Sequence, residues 1–563
     1  IDWENGKVNL LFTLSEQPEM MAFAGTQLLC LGNSGVAIYD TEQGSMLERD
    51  TVLDDYCKNN LKGRLNNTSG SYGGIVLPGE EDTLYIADSS GLYRHVRNGS
   101  VMEQLVEGSF SSFGDPMLGM CALVRLESGE FLLLTTGEDL IRFTYDPNEP
   151  TVPEKQLKIY SLEENFSIKQ AMALFQKQNP DVYVKYEYTY DFMEKDSSMT
   201  VPDALKNLNV ELLGGPDVIL LDGMDASVYS GKGMLAHLSP VLKELVDQQA
   251  VFENIASAFK QENGTFVIPA SFGLPLLFGR QEDVEAVKDM DSLAAVVEKL
   301  RQENPEGSIT GAFSARQELL QLMEVNSVGW LDGRELDTQA VSNFLNQALR
   351  IYKADMQGVG KEELEIWGET ERAWNLGSLA SLTAGDMIKI MAGTADNMLM
   401  DMGAVSKVVE EQGYVFDLWP GEEGTGYLPM DKLAVSASST QQEQAVNFVK
   451  LMLGEEYQKM NTGSGFPVNR AAFDSQDETD GEMSMGTGWK VGGKDMEFSY
   501  GYPTEAVTTR VKELAQKAEI SLEGNVVLEE AVVEFGVQVL TGSMSVEQAV
   551  KEIQQKTAIY LSE

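Results

Sequence analysis

Asp222 and Asp225 are the two carboxylates best spaced to act together, three residues apart in DGMD, directly after the apolar run Val218–Leu221. Such a pair can hold a hard cation or divide acid and base work between two carboxyl groups. A plainer use is helix capping, and Asp222 is the residue we expect to cap the helix that follows. Partners for catalysis are scarce. The 563 residues contain only two histidines, His95 in a hairpin-like stretch and His237 in GMLAHLSP, which leaves little material for a histidine base or a metal site. GEEGTG (Gly421–Gly426) lacks the lysine and spacing of a phosphate loop. No nucleophile, base and orienting group fall together. The chemistry expected is binding, with no catalytic residue, metal ligand or cofactor.

The elements that would position a binding site begin at Gln156. Leu157–Tyr160 is a short apolar run, and Ser161 with Glu164 reads as an S-x-x-E capping box that starts a helix. Ile168, Ala171, Met172 and Phe175 fall at i, i+3, i+4 and i+7, the spacing of one buried helix face. Asn179-Pro180 ends it, and Val182–Tyr188 alternates as a strand. Leu205, Leu208, Leu212 and Leu213 mark a second helical face. Val218–Leu221 suits a parallel strand covered on both sides. Two successive crossovers of this kind begin a doubly wound α/β domain, whose ligands bind beyond the carboxyl ends of its strands. Tyr160–Glu164 and Asp222–Asp225 then share one rim.

Four later stretches extend this pattern: GTFVIPASFGLPLLFGR (Gly264–Arg280), WNLGSLASLTAGDMIKI (Trp374–Ile390), YLPMDKLAVSASSTQQEQAVNFVKLML (Tyr427–Leu453) and GSGFPVNRAAFD (Gly463–Asp474). In order and spacing they resemble the extracytoplasmic solute-binding proteins of ABC importers, the group that includes maltose- and oligosaccharide-binding proteins. The resemblance covers roughly residues 155–563. It implies a two-lobed α/β periplasmic-binding-protein fold (type II, Venus-flytrap), with chain crossings near residues 268, 430 and 466 side by side at a waist. Lobe 1 would comprise 155–268 and 433–465, and lobe 2 would comprise 270–428 and 468–563.

By position in these segments, the resemblance implies ligand contacts from Tyr160, Ser161, Glu163, Asp222 and Gly223 in the first lobe. It implies Ser271, Phe272, Met430 and Asp431 at the crossings, and Trp330, Gly385, Asp386, Met387 and Trp419 in the second lobe. Helix starts would donate N–H groups and aromatic rings would stack on sugar faces. Phe272 doubles as a packing residue, and Trp367 and Trp374 read as core. Carbohydrate-binding relatives often carry a tryptophan directly after the loop matching Ala384–Met387, where this chain has Ile388, Lys389 and Ile390.

The function implied is capture of a small molecule, a sugar or oligosaccharide, by hinge closure, and its delivery to the permease subunits of an ABC importer. The expected protein is an extracellular monomer, held as a cell-surface lipoprotein of a Gram-positive bacterium by an anchor outside this sequence. The chain opens with Ile1, as after removal of a leader. The alternatives are an extracytoplasmic sensor or polysaccharide-binding accessory protein, and a secreted glycan-active enzyme using acids such as Asp222 or Glu163.

Composition agrees with a soluble, multidomain chain. There are 88 acidic and 42 basic residues, a formal net charge of −46, which repels nucleic acid and anionic lipid. No apolar run approaches the ~20 residues that span a bilayer. Residues 1–145 read as an all-β domain. Leu28–Asp40, Leu84–His95 and Phe131–Asp146 each read apolar strand, turn, apolar strand, at a period of about fifty residues that suits propeller blades; a plain β-sandwich is the alternative. All three cysteines, Cys30, Cys57 and Cys121, lie here, enough for one bridge and one free thiol. Residues 146–154, with three prolines, read as a linker. The polar stretch Asp474–Lys494 reads as a loop, mobile or at the edge of the cleft.

Overall fold

The computed structural model describes residues 13–562, except 33, 62–71, 117, 138, 147–154, 191–214, 333–334, 369–374, 461–462, 464, 478–483 and 492–493. Most of the linker, the helical face predicted at Leu205–Leu213, and Trp374 lie outside the described residues. The chain divides into two units: Ile1–Lys158 with Asn165–Tyr186, and Ile159–Glu164 with Glu187–Glu563.

The first unit holds three antiparallel meanders. Their strands lie within 20–46, 74–107 and 120–143, with four, four and three strands. The three sequence repeats are hairpins inside them: Gln27–Gly32 with Gly35–Asp40, Thr83–Asp88 with Gly91–Val96, and Phe131–Thr135 with Leu140–Phe143. Gly35 and Gly91 turn two of these at φ of +112° and +135°, where a side chain would be strained. The expectation of an all-β domain of propeller-like repeats is not supported. No sheet closes into a ring among the described residues, and a ten-residue helix, Thr51–Asn60, packs Leu53 and Cys57 between the first two sheets. Asp50 caps that helix through Leu53 N–H and also meets the buried His95 ring at 2.7 Å. His95 is therefore structural. All three cysteines are free, Cys30 and Cys57 buried and Cys121 half-buried.

The second unit is organised around the strand Val267–Gly279, thirteen residues that are all buried. Its first half pairs antiparallel with the strand Gly426–Val435, and Ser271 and Phe272 also pair with Pro467 and Phe466. Its second half pairs with Ile390–Ala395 on one side and Val415–Leu418 on the other. Beyond Gly426–Val435 lies Val218–Leu220, which pairs in parallel with Ile159–Ser161. A continuous apolar run is what such double-sided burial demands. Residues 268, 430 and 466 accordingly lie on adjacent strands.

Two hydrophobic cores meet at this strand. Val267 belongs to one, with Tyr160, Leu162, Ile219, Leu221, Phe266 and Ala434. Leu277 belongs to the other, with Leu293, Leu319, Trp330, Phe344, Trp419 and Leu528. Between them, fully buried Phe272 packs against Phe252, Phe466 and Phe473 at ring distances of 5.8, 5.7 and 6.3 Å. Beside it Ser271 Oγ donates 2.9 Å to the carboxylate of Asp431.

One helix start and one loop differ from expectation. Ser161 lies in the strand Lys155–Glu163, its hydroxyl donating to the Glu163 carbonyl, and the next helix begins at Phe166 with Asn165 as its cap. The strand continues three residues past Tyr160, and pairing of Ser161 with Leu220 claims Ser161 before any capping box can form. Asp474–Lys494 is also not simply a loop: Met485–Val491 and Lys494–Tyr500 form a hairpin.

Phe272→Ala should lower the unfolding free energy of the second unit by about 3–5 kcal/mol, the usual cost of emptying an aromatic core position. Chemical denaturation checks this. A midpoint matching that of the parent protein would show that the aromatic cluster does not hold the two cores together.

Candidate functional site

The turn after Val218–Leu220 carries the first part of the site. Gly223 takes φ of +71° and lets the chain reverse. The Asp222 carboxylate then accepts from Lys432 N–H at 3.0 Å. Asp225, not Asp222, caps the following helix Ala226–Gly231, accepting from Ser227 N–H and Oγ at 2.9 and 2.6 Å. Asp222 is held instead by the neighbouring strand.

These residues line a cavity of about 500 Å³ in the second unit, within the usual size of small-molecule pockets. The helix Ala315–Asn326 supplies Leu320, Met323 and Glu324, and the following turn supplies Ser327–Leu331. The strand Gly426–Val435 supplies Leu428, Pro429 and Lys432. Leu522–Val526 lead into the last wall, which ends at Glu529 on the helix Val526–Leu540. Met224 comes from one core while Met323, Trp330 and Leu528 come from the other. The cavity therefore lies where the two cores adjoin. Gly524 leaves room for the Glu529 carboxylate and the Ser327 hydroxyl, side-chain ends that a Cβ there would displace.

Lys432, only 3% exposed, makes an ion pair with Glu523 and donates 3.2 Å to the Met224 carbonyl. Burial lowers its pKa against the opposing charges of Asp222 and Asp225. Burial raises Asp222 against the charge of Lys432. Glu324 is pushed up to about 7 by burial, although Thr394 Oγ1 donates to it at 2.7 Å. Burial also raises Glu529, opposed by its hydrogen bond from Ser327.

Of the residues expected from sequence, the structure brings Asp222, Gly223 and Trp330 to this cavity. Trp330 is 3% exposed and packs on Phe344 at 4.9 Å, so its indole is a wall and not a protruding platform. Tyr160 and Ser161 are buried in their strand, where the Tyr160 hydroxyl meets that of Thr189, and Glu163 is half-buried at the strand end. Ser271, Phe272 and Asp431 are buried at the waist, with Met430 half-buried beside them. Trp419 is sealed in the second core and donates its backbone N–H to Pro275. Gly385, Asp386 and Met387 form the turn after the helix Leu376–Ala384, away from the cavity, where Lys389 pairs with the exposed Asp386.

Sequence reasoning missed Lys432, Glu324, Glu523 and Glu529. Three of them carry a legible signal: a charge inside an apolar run, as in YLPMDKLAV, LLQLMEVN and VVLEEAVVEF. A charge at a buried position needs a partner or a use.

Residues 170–483, more than half of the chain, match the family model for bacterial extracellular solute-binding proteins. Similar solved structures include a family 1 extracellular solute-binding protein from Alicyclobacillus acidocaldarius, 13% identical with a TM-score of 0.46, covering 73% of this chain and 99% of that one. The GacH receptor of Streptomyces glaucescens, solved unliganded and with acarbose, is 16% identical with a TM-score of 0.44 over 73% of this chain and 99% of its own. The sugar-binding protein MalE from Xanthomonas citri is 13% identical with a TM-score of 0.46 over 72% and 98%. Comparison with curated proteins gives no match.

The raised pKa of Glu324 makes a testable sign. The unfolded chain loses this proton near 4.5 while the folded chain keeps it until about 7. The folded state thus holds more protons across that window, and the Glu324 contribution to stability falls as pH rises through it. Glu324→Gln should abolish that fall, gaining on the parent protein by up to about 3 kcal/mol between pH 4.5 and 7. Denaturation curves across this range measure it; a constant difference between variant and parent would refute the assignment.

Proposed function

The chain belongs to the bacterial extracellular solute-binding proteins, and on that premise we propose that it captures a sugar or oligosaccharide in the cavity beside Trp330 and hands it to an ABC importer. The family places it outside the cytoplasm. The observation that carries the sugar reading is the make-up of the cavity walls. Trp330 with Leu320, Met323, Leu331 and Leu428 offers an apolar side for the C–H face of a sugar ring. Asp222, Glu324 and Glu529 offer carboxyl oxygens to its hydroxyls.

In this reading Asp222, Gly223 and Trp330 are ligand contacts, together with Glu324, Lys432 and Glu529. The lobes are 155–268 with 433–465, and 270–428 with 468–563. Each contributes a wall, so a bound solute gains contacts when the lobes approach. Differential contact of this kind is what a ligand needs to favour a closed form. The strand Val267–Gly279 and its partner Gly426–Val435 are the pivot, because each packs into both cores. The permease would then read the closed form of a monomeric binding protein.

Trp330→Phe keeps the packing on Phe344 while reducing the aromatic wall. It should weaken binding of the sugar that most raises the melting temperature by roughly three- to tenfold, measured by titration calorimetry. An unchanged Kd would remove Trp330 from the site.

A further inference from the structure

The cavity assigned above is lined by more carboxyl groups than its own cations can pair. Five carboxyl groups line it, on Asp222, Asp225, Glu324, Glu523 and Glu529, against the single ammonium of Lys432. That ammonium is already engaged by Glu523 and the Met224 carbonyl. Asp222 and Asp225 are held by backbone N–H groups, of Lys432 and Ser227. Glu324 and Glu529 are served differently. Glu324 has the hydroxyl and the backbone N–H of Thr394, Glu529 has the Ser327 hydroxyl, and neither is paired with a lysine or arginine among the described residues.

Two carboxyl groups opening onto one cavity without a cation form a half-completed electrostatic site. Burial without a counter-charge is costly, and a ligand that brings the charge relieves that cost. A metal ion does not meet the geometry: among the described residues no group of three acidic, histidine or cysteine side chains is arranged to hold one. An anionic solute would add to the repulsion. A neutral sugar would satisfy the oxygens through hydroxyls but bring no counter-charge that lets these carboxyl groups ionise. We infer that the solute is a sugar bearing a protonated amine, with its ring against Trp330 and its ammonium received by Glu324 and Glu529. The inference rests on the sugar-binding reading and narrows it to a substrate class. An ammonium carries the three donors that two carboxyl groups require, and such charge-assisted hydrogen bonds are stronger than hydroxyl ones.

The test uses three matched pairs on the unmodified chain: glucosamine and glucose, galactosamine and galactose, and the β-1,4-linked glucosamine disaccharide and cellobiose. Thermal shift finds the pair that binds, and calorimetry gives both Kd values. The amino member of that pair should bind at least ~10-fold more tightly, as charge-assisted bonds imply. Glu324→Gln combined with Glu529→Gln should bring the two members to within about twofold, mainly by weakening the amino sugar. A neutral sugar that binds as well as its amino counterpart overturns the inference and leaves the sugar reading standing. If no member of any pair raises the melting temperature, the sugar reading falls and this inference with it. The comparison on the unmodified chain decides the matter even where the double variant does not fold.

Discussion

One buried strand belongs to two hydrophobic cores, and the rest of the second unit follows from that. Val267 is packed into the first core and Leu277 into the second, ten residues along the same extended segment. A strand cannot serve two cores unless neighbours cover it along its whole length, and five segments provide that cover: Gly426–Val435, Phe466–Pro467, Ile390–Ala395, Val415–Leu418 and the helix that carries Phe473. Both faces are sealed, so its sequence is apolar throughout apart from Ser271, whose hydroxyl is taken by Asp431. The same arrangement creates the cavity. Where two cores adjoin across a shared strand, their edges leave a gap whose walls come from each.

The polar groups at that gap are less evenly supplied than its apolar ones. Lys432 sits in the shared sheet and is drawn to Glu523, while Asp222 is fixed by the Lys432 backbone. The far wall brings Glu324 and Glu529 from two helices, met by Thr394 and Ser327 and by no cation among the described residues. Buried groups of this kind weaken the empty protein and strengthen a complementary complex. A binding protein can accept that exchange because its working state is the liganded one.

The fold of the second unit was largely legible in the sequence, because its signals are long. The thirteen-residue run Val267–Gly279, apolar apart from Ser271, admits few readings, as does the i, i+3, i+4, i+7 pattern from Ile168 to Phe175 in the first unit. The order of crossings was legible for the same reason. Local signals fared less well. Ser161 and Glu164 have the composition of a capping box, yet strand pairing extends to Glu163 and moves the helix start to Phe166. Asp222 and Asp225 are both plausible caps, and only the position of Lys432 N–H decides which one is. Trp419 lies beside a glycine turn like Trp330, and both are buried in the second core, yet of the two Trp330 lines this cavity; that distinction depends on contacts distant in the chain. In the first unit the fifty-residue period identified three hairpins, while the helix Thr51–Asn60, anchored by Asp50 to His95, lies between two repeats where a strand period says nothing.

The central claim is that the cavity bounded by Asp222, Trp330 and Glu529 is where solute is held. A crystal structure of the chain with the best-stabilising sugar of the matched pairs tests it most directly. The account predicts the sugar ring against the Trp330 indole, with polar atoms within 3.2 Å, about the outer limit of a normal hydrogen bond, of the Glu324 and Glu529 carboxyl oxygens. A sugar bound elsewhere on the chain, with this cavity left to solvent, would contradict it.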